Sequence, residues 1–324
     1  MFTGQRYLII KKIFYWLISL SLVLMLVTLS YIYVPVLKSP VAGYEARKGQ
    51  IKSATVTRTW DEEDSNYQEM ELVSTSGLKV EITIRRPTKI KTKLPVALLL
   101  GGVGTGRNAC QIIPSIHHVI CVSLSYPYFG KKHLDDIEFL LNIRKIQQTV
   151  KDTPPALMLT LDYVLSQDFS DHEQVELLGV SFGSYFISIP AVLDKRVTRV
   201  WIAHGAAEPF RSMSHNYKKE SRFKFFNNLL AYMVGYAIGS EYVDPAKWVG
   251  RISPRPVIMI NARNDATFPS SSVAALHNAA RDPKEIIWTE GLHVTPSRKD
   301  VVKLLTDIVL SRIEDDYLKK HAHN

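Results

Sequence analysis

The chain has 324 residues, 46% of them hydrophobic and 22% charged, and carries a formal net charge of +9. That length suits one large α/β domain with additions, and the ordinary hydrophobic fraction excludes wholesale disorder. The basic residues are scattered and never interleave with aromatics as a run, which argues against a nucleic-acid partner and for a basic surface beside an anionic membrane.

In chain order, residues 1–12 form a short tail, and Ile13 to Leu37 contain no charged side chain. A helix rising about 1.5 Å per residue crosses about 30 Å of hydrocarbon over such a run, so a single transmembrane helix is expected at 13–37. Tyr15 and Trp16 at one end and Tyr31 and Tyr33 at the other suit interfacial anchors, and Pro35 suits a stop. The run exceeds a signal-peptide core and lacks a small-x-small cleavage site. An uncleaved signal anchor is therefore expected. Basic residues are nearly balanced on the two sides. The short tail before a long domain favours placing that domain outside the cytoplasm, in a periplasmic or extracellular setting.

Residues 38–55 are polar and mixed, as in a linker, and the folded domain is expected over 56–324. Tyr67–Ser74 and Leu78–Arg86 read as strands of an opening hairpin turning through Gly77. Pro95–Leu100, His118–Leu124, Val175–Val180, Val197–Ala203 and Pro256–Ile260 are apolar runs suited to buried parallel strands, and Glu285–Trp288 is a shorter strand. Helices are expected from Pro154-Pro155 through Leu165, over Phe182–Leu193, over Ser271–Ala280 and over Val301–Tyr317. The alternation implies a mostly parallel, doubly wound α/β sheet. One long insertion, at about 206–255, joins two strands that a single helix could connect. Its polar Met213–Lys224 and apolar Phe225–Ile238 suit either a lid or a packed helix pair.

Gly179-Val180-Ser181-Phe182-Gly183 fits G-x-S-x-G between a strand and a helix. A serine on so tight a turn stands above the sheet edge, and Gly179 and Gly183 supply the small residues the crossing requires. A serine nucleophile needs a base, and the base needs an acid to orient it. Asp265 follows the strand Pro256–Ile260 and His293 follows Glu285–Trp288, so acid and base come in the order this arrangement uses. The Phe182 N–H, next to Ser181, is one expected oxyanion donor. Gly101-Gly102-Val103-Gly104-Thr105-Gly106 follows an earlier strand, and the Val103 N–H is the other. This run lacks the Lys-Ser/Thr and the distal acid of nucleotide-binding loops. Cys110 and Cys121 have no metal-ligand spacing, and their pairing is left open. No metal and no cofactor is expected.

These segments resemble the α/β-hydrolase superfamily, and within it bacterial dienelactone-hydrolase and prolyl-oligopeptidase-like members, from about Tyr67 to the end. The likeness is carried by VELLGVSFGSYFISIPAVLDKRV and by WVGRISPRPVIMINARNDATFP with PKEIIWTEGLH. It implies Ser181 as nucleophile, Asp265 as acid and His293 as base. The loop after the third expected strand begins Gly101-Gly102 where the family often has His-Gly, and the 206–255 insertion matches no named lid. The expectation is a membrane-anchored serine hydrolase of carboxylic esters, with a small-molecule or lipid-like substrate. A thioesterase or peptidase with the same triad, and a catalytically silent membrane-tethered binding module, are the alternatives. The sequence does not give the oligomeric state.

Overall fold

The computed structural model describes residues 2–90, 92–128, 130, 134–220 and 224–322. The first element is a long apolar helix, α1 (Phe2–Tyr33), followed by a single 3-10 turn over Val34–Val36. Tyr7–Val36 is long and apolar enough to cross a membrane, and none of its most apolar window is buried. The helix starts well before residue 13, so the expected tail is helical, and Pro35 falls in the 3-10 turn just after the α-helix ends.

Residues 38–55, expected as a linker, are folded. A short helix, α2 (Tyr44–Lys48), buries Tyr44 to 1% exposure. Arg47 places its guanidinium on Asp152 with two hydrogen bonds of 2.7 and 2.6 Å. The chain then enters a strand, β1 (Ile51–Glu62), that crosses the expected domain boundary at 56. This strand is exposed along nearly its whole length, so it has no apolar face to mark it in the sequence. Its order comes from an antiparallel ladder with β2 (Ser65–Ser74), which pairs in turn with β3 (Lys79–Pro87). The expected hairpin is therefore a three-stranded meander.

The central strands are β4 (Leu94–Leu100), β5 (Ile120–Leu124), β6 (Ser170–Val180), β7 (Arg199–Ala203), β8 (Val257–Ala262) and β9 (Lys284–Thr289). The nine-stranded sheet has the order β1-β2-β3-β5-β4-β6-β7-β8-β9. From β5 through β9 all neighbours are parallel, and β3 meets β5 antiparallel. β4 and β5 are buried at every residue, as strands covered on both faces must be.

Among the described residues, eight further helices accompany the sheet. They are α3 (Ala109–Ile112), α4 (Asp136–Leu141), α5 (Ile143–Leu165), α6 (Ser184–Leu193), α7 (Pro209–Glu220), α8 (Lys224–Ala237), α9 (Ser270–Ala279) and α10 (Lys299–His321). Of these, α3, α5, α6 and α10 pack directly on its strands. Pro154 and Pro155 lie inside α5 instead of opening it. Proline normally breaks a helix by removing an N–H and crowding the preceding turn. Here the segment around them, from Asp152 to Leu161, is buried throughout, and packing overrides the local preference. One face of the sheet packs on the larger apolar cluster, which includes Leu98, Leu177, Ile202 and Phe186, and the other on a smaller one with Leu178, Trp201, Leu305 and Ile313. Cys110 and Cys121 are buried free thiols, and burial pushes Cys110 up to about 11.

The end of α1 is fastened to this body. Gln147 of α5 donates to the Ile32 carbonyl and to the Ala237 carbonyl of α8, each at 2.7 Å. Lys151 Nζ donates to the Pro35 carbonyl at 2.7 Å, and the Tyr33 ring stacks on Tyr236 of α8 with centroids 6.1 Å apart. The 206–255 insertion consists of α7, α8 and three 3-10 turns. Its ends are rooted in the core through Ala206, Ala207, Trp248 and Ile252, whereas Leu229, Leu230 and Tyr232 of α8 are exposed. Residues 221–223, where part of the expected lid falls, lie outside the described residues.

Candidate active site

β6 ends at Val180, and a 3-10 turn, Ser181–Gly183, leads into α6. Ser181 has φ +54°, the left-handed region that a non-glycine residue enters only at a cost. The turn is tight because its two glycines let it be. A Cβ on Gly183 would run into the Leu100 carbonyl, and one on Gly179 would lie 2.9 Å from Ser184 Cα. Gly183 is therefore where the turn crosses the end of β4, and Gly179 is where β6 meets the start of α6.

Three side chains from three strand ends meet here. Ser181 Oγ lies 2.7 Å from His293 Nε2, and His293 Nδ1 lies 2.6 Å from Asp265 Oδ2. An ionised carboxylate can only accept, so Nδ1 carries the proton and Nε2 offers its lone pair to the serine hydroxyl. Asp265 follows β8 and also accepts the Thr267 N–H at 2.8 Å. Burial raises its pKa, but the hydrogen bond and charge of His293, the Thr267 N–H and the nearby His204 outweigh this and hold it below the usual carboxylate range. His293 stands on the loop between β9 and α10, 8% exposed, with the Phe268 ring perpendicular to it at 5.3 Å between centroids.

No family model matches the chain. Nor does any curated protein match it. Solved structures do. Acetyl xylan esterase 1 of Thermoanaerobacterium sp. JW/SL YS485 superposes with a TM-score of 0.59 at 12% identity, over 84% of this chain and 94% of that one. An acetyl xylan esterase of Paenibacillus sp. R4 gives 0.61 at 16%, over 83% and 92%. A cold-adapted esterase from an Arctic intertidal metagenomic library gives 0.51 at 11%, over 78% and 98%. The chain has the α/β-hydrolase fold.

In this α/β-hydrolase fold the loop after β4 borders the serine. Thr105 closes it by bonding the Gly102 carbonyl through both its N–H, at 3.0 Å, and its hydroxyl, at 2.8 Å. Tyr126 donates to the Gly101 carbonyl at 2.6 Å. The Val103 side chain is 64% exposed, so this residue sits at the rim. The Phe182 N–H belongs to the first turn of its helix, where such groups have no intrahelical partner.

A fourth residue, His204, was passed over in the sequence. It directly follows β7, as Ser181, Asp265 and His293 follow β6, β8 and β9, and that strand-end position was the available signal. Its ring is fully buried, with its centroid 5.6 Å from that of His293 and Nδ1 3.9 Å from Asp265 Oδ2. Its Nδ1 accepts the N–H of Val294, the residue after His293, at 3.0 Å. Nε2 must then carry the ring proton, and it has no partner. Burial and the neighbouring His293 lower its pKa to about 4, against the opposing pull of Asp265.

Ligand atoms of His204, Asp265 and His293 lie within 4.8 Å of one another, as a cation site requires. They are already joined by protons, however: His204 Nδ1 holds Val294, and both His293 nitrogens are engaged. This donor set fits a hydrogen-bond relay better than a metal centre. A cavity of about 500 Å³ opens at Ser181 and His293, bordered by Gly102, Gly104 and Thr105. No described residue of α7 or α8 lines it. Those helices border a separate depression with Phe210 and Tyr232, and His215 of α7 reaches the Ala266 carbonyl beside the acid at 3.1 Å.

Proposed function

We propose that the chain is a membrane-anchored serine hydrolase that cleaves carboxylic esters through an acyl-enzyme. The observation that carries this reading is the unbroken hydrogen-bond chain from Ser181 through His293 to Asp265, opening onto a cavity. Esterases among the structural neighbours favour an ester over other acyl substrates.

In this mechanism Ser181 Oγ attacks the ester carbonyl carbon while its proton passes to His293 Nε2. The carbonyl electron pair moves onto oxygen, and the N–H groups of Val103 and Phe182 stabilise that charge, each worth about 3 kcal/mol in the transition state. Asp265 fixes the His293 tautomer and stabilises the imidazolium. The intermediate collapses, and the departing alcohol takes the proton from His293. Water then attacks the acyl-enzyme and gives its proton to His293. A second collapse releases the carboxylic acid and returns the proton to Ser181 Oγ.

The α1 helix is the proposed anchor, with the hydrolase domain outside the cytoplasm. Protease treatment of sealed vesicles of known sidedness tests that orientation. The catalytic reading is tested by labelling the full-length protein with a fluorophosphonate probe. Wild-type protein becomes labelled and turns over p-nitrophenyl esters. Ser181→Ala loses the label and about 10⁴-fold or more of the activity. A labelled Ser181→Ala protein, or an unlabelled wild type, overturns the assignment.

A further inference from the structure

The cavity at Ser181 continues well past the reacting atoms. Its floor is a row of three side chains in register on one face of the sheet, Leu99 of β4, Leu178 of β6 and Trp201 of β7. One wall is α10, which contributes Val302, Leu305, Val309 and Leu310. The other is the end of α3, with Ile112 and Ile113. The groove runs between the short α3, of 4 residues, and the long α10, of 23, over buried floor residues.

The channel has a direction. α10 starts just after the His293 loop and leads away from the serine, and Gln174, early in β6, donates to the Ile313 carbonyl at 2.8 Å. Val302 is therefore near the mouth and Leu310 deep, about 12 Å apart along the helix. Polar side chains gather at the mouth, where Ser181, His293, Thr105, Thr267 and Thr295 border the opening. Thr306 is the polar exception along the wall. The space of about 500 Å³ is open to solvent on one side, and a cleft walled by Leu, Ile and Val favours an apolar guest.

We propose that this channel is the acyl-binding site, and that the protein selects esters of straight, medium-length fatty acids over acetyl esters. The proposal rests on the ester-hydrolase reading above. A polar mouth at the nucleophile with an apolar depth behind it halts the carbonyl at Ser181 while the chain lies between Leu178 and Leu305. A length of about 12 Å takes an extended octanoyl chain, whereas a palmitoyl chain overruns it. An acetyl group leaves the channel empty, and each buried methylene strengthens binding about fourfold.

The test uses the full-length protein in lipid nanodiscs, with p-nitrophenyl acetate, octanoate and palmitate. The expected kcat/KM for octanoate exceeds that for acetate by about 100-fold or more, and palmitate falls below octanoate. Val309→Phe, which fills the deep end, lowers the octanoate-to-acetate ratio about tenfold or more. Val309→Ala, which lengthens the channel, raises palmitate relative to octanoate. Labelling of Ser181 by a small fluorophosphonate checks that each variant is folded. Should Val309→Phe not fold, the wild-type ratios and Val309→Ala decide the matter. A labelled, active wild type that prefers acetate overturns the proposal, as do two folded variants with wild-type ratios. No turnover of any ester together with an unlabelled Ser181 overturns the ester-hydrolase reading, and the acyl site with it.

Discussion

His204 is a buried imidazole that stays neutral while holding the backbone next to His293, and the consequence is a pH dependence with a definite sign. In the unfolded chain it takes up a proton as pH falls through about 6.5, whereas in the folded protein it does so only near 4. Between those values the unfolded state binds the extra proton, so folded stability falls as pH falls, by up to about 3 kcal/mol over the window. Thermal unfolding of the wild type and of His204→Asn at pH 7 and pH 5 checks this. The wild type loses more stability on acidification than the variant, and equal losses count against the assignment. The variant also loosens the Val294 contact, so its kcat falls at neutral pH with little change in KM. Ser181, Asp265 and His293 were legible in the sequence because a motif or a required order marks them. His204 has neither: its role is to hold a neighbouring backbone N–H, and only the convergence of strand ends brings it there.

At the scale of elements, the serine turn crosses β4 with no room for a side chain at Gly183. Gly183→Ala puts a methyl group against the Leu100 carbonyl, which is backbone in a buried strand and has nowhere to move. Overpacking of this kind costs about 1–3 kcal/mol. The midpoint of thermal unfolding is expected to drop by several degrees, and fluorophosphonate labelling of Ser181 to slow. An unchanged midpoint with normal labelling contradicts the crossing. The buried strands β4 to β8 could be read from apolar runs because both of their faces are covered. β1 could not, since it is an exposed edge ordered by its ladder with β2 and by the Trp60 ring stacked on Tyr67 at 4.9 Å. The course of α5 was likewise hidden. Its two prolines argue locally for a helix start, and only the packing of residues on both sides of them reveals that the helix runs through.

For the whole molecule, the reading of α1 as an anchor predicts how the protein fractionates. Alkaline carbonate washing leaves the full-length chain in the membrane pellet, and its recovery in the supernatant refutes the anchor. The junction between that helix and the hydrolase body has a mechanical meaning. Because Gln147 grips both Ile32 and Ala237, and Lys151 holds Pro35, the helix enters the folded body through a braced joint with no slack segment. A limp spacer would let the enzyme tumble and sweep a wide volume. On the proposed anchoring, a bracket of this kind fixes the body's height and bearing above the lipid, so that substrate must come to one standing position.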